Sequence, residues 1–339
     1  MKQTILNAML ATGAFVPFRR LNRDKALILM YHRFVQHEDE DGAKTSARSF
    51  IAHLEYLKAH YRLVPLSLIS EHIQTGAPLP PATAAVTIDD GYRDAYTVAF
   101  PLLRERKIPA TLFVATGFVD LECWLWTDKM RYVLSHTKAE TVEVNISGRT
   151  VSFALGDQAS RAAAARQVNS LLKTVPDAVK DNEIMRLAAS LGVEIPQLPP
   201  AEFQPLTWDE AREMHQDGIE IGSHTRSHPI LTKVDDARLR AELCESKSRL
   251  ETIFSHRMDL FCYPNGNMDD RVRRATALAG YRCAVTVEPG LVNGNSDPLS
   301  LKRFAAEPDF AHFVQSTSGF ETIKNKFRPG RRVEARAEY

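Results

Sequence analysis

Ala85-Val86-Thr87-Ile88-Asp89-Asp90-Gly91-Tyr92 is the stretch on which the reading of this chain turns. A short apolar, partly β-branched run stops at two adjacent carboxylates and a glycine. The pattern predicts a buried strand over 85–88 that presents Asp89 and Asp90 at its C-terminal end. Strand side chains alternate sides, so neighbouring acids converge on one point only where the chain turns. Gly91 permits such a turn. In α/β folds the C-terminal ends of parallel strands are where chemistry is built, which makes the acid pair a candidate site. The plainer alternative is an N-cap aspartate in a strand-to-helix loop, and Asp-Asp-Gly alone fits it equally well.

A second stretch repeats the pattern. Glu220-Ile221-Gly222-Ser223 reads as a strand, and His224-Thr225-Arg226-Ser227-His228-Pro229 follows it. On a helical turn, His224 and His228 would share a face and reach one ion. Two histidines and one carboxylate leave coordination positions open for water and substrate, the form of a catalytic metal site rather than a structural one. The alternative is a surface helix with two unrelated histidines. A third stretch, Phe261-Cys262-Tyr263-Pro264-Asn265-Gly266, again runs from a strand into a turn.

In this order and spacing, Thr87-Ile88-Asp89-Asp90-Gly91, His224 to His228 and Phe261-x-Tyr263-Pro264-x-Gly266 resemble the polysaccharide deacetylase family, carbohydrate esterases that share a NodB-type homology domain. The resemblance runs from about Ala26 to Glu307 and is weaker in the middle. It implies an α/β fold, a distorted (β/α) barrel of about seven parallel strands with a mainly helical insertion. It also implies removal of acetyl groups from N-acetylated amino sugars of a polysaccharide or lipid-linked glycan. A divalent metal would be held by Asp90, His224 and His228. Zinc suits those donors, and cobalt, nickel or iron would bind similar ones. Asp89 takes the position of the general base, and the backbone N–H of Asn265 that of the oxyanion donor. Gly266 would allow close backbone approach there.

The general acid of many members lies in a late Leu-x-His motif that this chain lacks. In other members a Tyr-His after the first strand takes its place, which nominates His32 after the apolar run Ala26 to Met30. Three departures matter. Cys262 stands where the family often has an arginine that pairs with the base, and Arg303 is the residue expected to supply that charge. Asn265 replaces a common aromatic. The Asp-x-x-Asp-Trp motif is absent. Tyr263, Trp124 and Trp126 are candidate substrate-binding residues, the tryptophans as platforms for a sugar face, with simple packing of the insertion an equally good reading of both.

The rest of the 339 residues organises around these motifs. Strand-like and helical runs alternate from Ala26 to Ala115 and resume after Thr207, a βα pattern that implies a parallel sheet or barrel. The expected division is an N-terminal amphipathic segment at 1–25, a barrel from 26–119 and 204–310, an insertion at 120–203 and a tail at 311–339. Within it, Ser49 is expected to cap a helix over 45–61, a strand spans 63–66, and Pro101 kinks a helix over 92–107. Val142 to Phe153 reads as a hairpin, Thr207 and Glu210 as a capping box, and Val234 to Phe254 as a solvated helix.

A net charge of +1 gives no electrostatic footprint for nucleic acid, and no such partner is expected. No apolar run approaches the roughly 18 residues that cross a membrane. The apolar stretch from Ile5 to Phe18 followed by Arg19, Arg20 and Arg23 reads as a helix for packing on the domain or for peripheral membrane contact, with a poor signal peptide or signal anchor as the alternative. Cytoplasmic or inner-membrane peripheral location is preferred over export. The four cysteines lack CxxC spacing and are expected to be reduced. Two other functions stay open on sequence alone: deformylation or another non-peptide amide hydrolysis on a glycolipid, and non-catalytic glycan binding.

Overall fold

The computed structural model describes residues 2–38, 44–146 and 148–320. Its strands are β1 (Leu27–Tyr31), β2 (Phe34–Val35), β3 (Thr45–Ser46), β4 (Arg62–Leu63), β5 (Thr83–Ile88), β6 (Ala110–Val114), β7 (Thr141–Ile146), β8 (Arg149–Ala154), β9 (Glu220–Ser223), β10 (Leu260–Cys262), β11 (Cys283–Val285) and β12 (Phe304–Ala305). The main sheet runs β11-β10-β9-β6-β5-β1-β12, with β4 beside β5, and every pairing in it is parallel. Leu301 bridges Val285, and three residues later β12 pairs with β1. One segment therefore touches both edges of the sheet and closes it into a distorted (β/α) barrel.

The strand sequences explain the layers. β1, β5 and β6 are buried along their whole length, as near-continuous apolar runs require when both faces are covered. Leu27, Leu29, Val86 and Leu112 pack with the helical layer, together with Phe50 and Leu54 of helix Ala47–His60. Ile28, Ala85, Phe113, Cys262 and Val285 belong to a second apolar cluster.

Several local expectations shift. Ser46, not Ser49, caps helix Ala47–His60; its side chain accepts a hydrogen bond from the Ser49 backbone N–H. The strand near 63–66 shortens to β4, because Pro65 starts helix Leu66–Thr75. The helix after β5 begins as a π-helical turn over Ala95–Ala99 and becomes α-helical over Phe100–Arg106, with Pro101 at the junction where it needs no donor. The Thr207–Glu210 capping box is present, and β7 and β8 pair as an antiparallel hairpin.

Residues 126–191 build an apolar cluster of their own. Helices Trp126–His136, Gln158–Leu172 and Asp177–Ser190 contribute Met130, Leu134, Val168 and Leu187, and the hairpin adds Val144. Ile230, just beyond the second histidine, joins the same cluster. At the N-terminus, helices Lys2–Ala11 and Val16–Leu21 bring Leu6 and Phe15 near or into the main core, where Phe15 and Phe18 meet Phe320 edge-on. No helix among the described residues is long and apolar enough to cross a membrane. Helix Phe310–Thr317 packs on the barrel, and the stretch from Lys324 lies outside the described residues.

Candidate active site

Strand register brings the first pair together. Tyr31 of β1 is aligned with Ile88 of β5, so the next residues, His32 and Asp89, are neighbours across the two strand ends. The Asp89 N–H donates to the Tyr31 carbonyl at 2.9 Å, and His32 Nε2 lies 3.7 Å from Asp89 Oδ2. The turn that lets both acids face one site begins at Asp90 itself, with φ 78°, and continues at Gly91, with φ 88°. Asp90 thus adopts a left-handed conformation that aspartate tolerates better than most residues.

Asp90 Oδ1 lies 3.3 Å from His224 Nε2 and 3.4 Å from His228 Nε2, and the two imidazole nitrogens are 3.1 Å apart. Tetrahedral zinc with ligands at about 2.0–2.1 Å has donor–donor edges of about 3.3–3.4 Å, so this triangle fits a divalent metal of that size. The chemistry fits as well. His224 Nδ1 is 2.8 Å from the Cys262 carbonyl, which can only accept. That bond puts a proton on Nδ1 and turns Nε2 toward Asp90. With no metal bound, burial works to lower the imidazole, but Cys262 and Asp90 outweigh it and hold the group well above its ordinary value, so a metal would take the place of the Nε2 proton. Burial pushes the His228 imidazole down to about 3, so it is neutral.

The histidines do not lie on a helical turn. Residues 224–228 form a loop in which Thr225 has φ 68° and His228 φ 58°. Glu242 shapes this loop. Its buried carboxylate accepts from the backbone N–H of Arg226 at 2.9 Å and of Ser227 at 2.8 Å, and from the Ser227 hydroxyl. The helix carrying it, Asp236–Phe254, is therefore not a wholly solvated element. Leu239, Glu242, Leu243, Ser246 and Leu250 form its buried stripe.

Arg303 is fully buried and grips Asp89 with both terminal nitrogens, each at 2.7 Å. It also donates to Thr87 Oγ1 at 2.8 Å, to the Thr286 carbonyl at 2.8 Å and to Cys262 Sγ at 3.1 Å. Burial works to raise the Asp89 carboxyl, but the guanidinium outweighs it and holds the group below the usual carboxylate range. Burial likewise raises Asp90, and its imidazole neighbours more than reverse that. His32 is lowered by burial against the pull of Asp89 and Asp90, so the unperturbed value near 6.5 that suited it to acid catalysis is not the value it has here. Asp89, His224 and Cys262 also lie within reach of one another, but Arg303 already occupies both Asp89 oxygens and the Cys262 sulfur.

Asn265, with φ 55°, and Tyr263 line the cavity above these groups. The Tyr263 hydroxyl donates to the Leu299 carbonyl at 3.0 Å. Gly266 serves a close approach to Val287: a Cβ there would stand 2.3 Å from Val287 Cγ2. The tryptophans separate. Trp126 lines the cavity, whereas Trp124 is buried, bonded to the Gln197 carbonyl and packed beside Tyr132 and Phe203. Trp124 therefore offers no open face for a sugar.

Arg33, Tyr92, Thr127, Arg131, Lys173 and Val287 also line the cavity without having been singled out from the sequence. Arg33 directly follows His32 and could have been read. Glu242 was legible as an acid set in an apolar helical stripe. Arg131 and Lys173 carry no local signal.

A (β/α) barrel with an Asp-His-His triangle and an arginine-bound aspartate at its strand ends carries a candidate metal site where such barrels build their chemistry. The polysaccharide deacetylase family matches residues 76–284, and the chain belongs to that family. Its members are hydrolases that act on the N-acetyl groups of glycans, generally with a divalent metal. Among curated proteins, YxkH of Bacillus subtilis is 30% identical over 103 residues, 30% of this chain and 37% of that protein. The match thus spans little more than a third of that relative. Among solved structures, the Streptococcus pyogenes deacetylase PplD, in complex with acetate, superposes with a TM-score of 0.59 at 18% identity, over 87% of this chain and 98% of that one. IcaB from Ammonifex degensii gives 0.55 at 18% identity, over 87% and 97%. At such identities the likeness is one of fold.

Proposed function

We propose that this chain removes acetyl groups from N-acetylated amino sugars of a polysaccharide or lipid-linked glycan, using a divalent metal. The observation that carries this reading is the Asp90–His224–His228 triangle, with donor spacings of 3.1 to 3.4 Å, set beside the Arg303-bound Asp89. A divalent metal held by those three residues, zinc in the first place, would polarise the acyl carbonyl and make a nearby water more acidic.

The residues have separable roles. Asp89 Oδ2 takes both Arg303 and the Cys262 thiol, which donates at 3.3 Å, whereas Oδ1 keeps a lone pair beyond its bond to Arg303 and can accept a proton from the attacking water. Its low basicity means it gives that proton up readily. His32, 3.7 Å away, is placed to receive it and to protonate the nitrogen as the C–N bond breaks. The Asn265 N–H would donate to the oxygen of the tetrahedral intermediate.

The test is acetate release from an N-acetylglucosamine oligomer by metal-stripped protein, with and without zinc or cobalt. Metal-dependent acetate is the expected result. Asp89→Asn should retain zinc by calorimetry while turnover falls by about a hundredfold or more. Full activity in that variant would remove Asp89 from the role of base.

A further inference from the structure

We propose that the glycan taken by this site carries an anionic group, a phosphate or a carboxylate, seated against Arg131 and Lys173. The inference rests on the deacetylase reading above and extends it to the substrate class. The cavity has two walls. The barrel supplies His32, Asp89, Asp90, His224 and His228, and the 120–203 segment supplies Trp126, Thr127, Arg131 and Lys173. Thr127 and Arg131 are four apart on helix Trp126–His136, so one face of that helix meets the cavity. Lys173 reaches it from the C-terminal cap of helix Gln158–Leu172.

That second wall brings cations and no acid. Arg33, the cation on the barrel side, is committed to the fold. It bonds Asp94 at 2.7 Å and the Glu202 carbonyl at 2.5 Å, and stacks 3.9 Å from the Tyr92 ring centre. Arg131 is bound differently. Among the described residues its guanidinium makes one hydrogen bond, a long 3.4 Å contact with Asp128 Oδ1, while Asp128 Oδ2 takes the Tyr92 hydroxyl at 2.5 Å. Four of its five donors remain for a ligand. Trp126, 4% exposed on the same wall, has an indole N–H with no hydrogen-bond partner among the described residues. The indole N–H, guanidinium and ammonium can donate but not accept. An oxyanion on the sugar satisfies such a wall better than a hydroxyl, because charge-assisted bonds are stronger than neutral ones.

The experiment is calorimetric binding to zinc-loaded, full-length protein, with acetate release followed in parallel. The probes are N-acetylglucosamine as neutral control, N-acetylglucosamine 1-phosphate, and a glucuronate–N-acetylglucosamine disaccharide. Wild type should bind at least one charged probe about tenfold or more tighter than the control. Whichever probe wins identifies phosphate or carboxylate. Arg131→Gln with Lys173→Met should abolish the preference, and Lys173→Glu, a change at a half-exposed position, should reverse it. Equal affinity for charged and neutral probes, or a preference that survives both variants because it arises at the metal, overturns the inference. Acetate release without charge preference would do so while leaving the deacetylase reading intact. Charge-dependent binding lost in the variants, with no acetate from any probe, would keep the anion site and remove that reading.

Discussion

Arg303 holds a full charge with no exposure to water, and Asp89 makes that tolerable by meeting it with both oxygens. Breaking one side of such a pair leaves the other charged and buried. Arg303→Met should therefore cost on the order of 3–5 kcal/mol, read by urea denaturation, besides raising the Asp89 carboxyl. His53 gives a second, independent prediction. It is buried, stacked 3.8 Å from the Phe313 ring, with Nδ1 3.2 Å from the Tyr31 hydroxyl. Burial pushes its imidazole down to about 4. Below about pH 6.5 the unfolded chain protonates this histidine and the folded chain does not, so stability falls as pH drops toward 4, by up to roughly 3 kcal/mol. Denaturation at pH 7 and pH 4.5 should show a smaller difference in His53→Phe than in wild type. The acids and histidines of the site were legible in the sequence because motif order carries them. The Arg303–Asp89 pairing was legible too, because Cys262 in place of an arginine called for a charge and Arg303 at the end of the last strand was the residue named to supply it. Cys262 leaves the space that Arg303 fills.

The histidine loop shows how an element can be misread while its residues are read correctly. Four-residue spacing suits a helix, yet Thr225 and His228 both take positive φ, and Glu242 gathers the loop's N–H groups in place of a helical ladder. Glu242 therefore holds the loop that carries the two histidines proposed as metal donors. Glu242→Gln should weaken zinc binding by about 10–100-fold in competition with a chromophoric chelator, with global stability less affected than metal affinity. A variant that bound zinc normally would remove this role. Caps, the hairpin and the βα rhythm were legible because their signals are local. The loop was not, because its shape is set by a carboxylate on another element.

The barrel and the 126–191 cluster meet around the cavity, and metal binding should be felt across the molecule. A ligand that binds only the folded state at a hundred times its Kd adds about 2.7 kcal/mol. For 339 residues that corresponds to a rise in Tm of roughly 4 °C, seen by calorimetry on adding zinc to stripped protein and absent in His224→Ala. The parallel sheet was legible from alternating apolar runs. The cationic face turned toward the site was not, because Arg131 and Lys173 are distant in sequence from every motif they join.

Arg303 and Asp89 are separated by 214 positions in the chain. Translation at about 5–20 residues per second puts roughly 10–40 s between the appearance of the aspartate and that of its arginine. Throughout that interval the emerging protein owns a complete set of metal donors only late, and a restrained Asp89 never. With Asp89 as the proposed base, hydrolysis waits for the segment that also shuts the barrel.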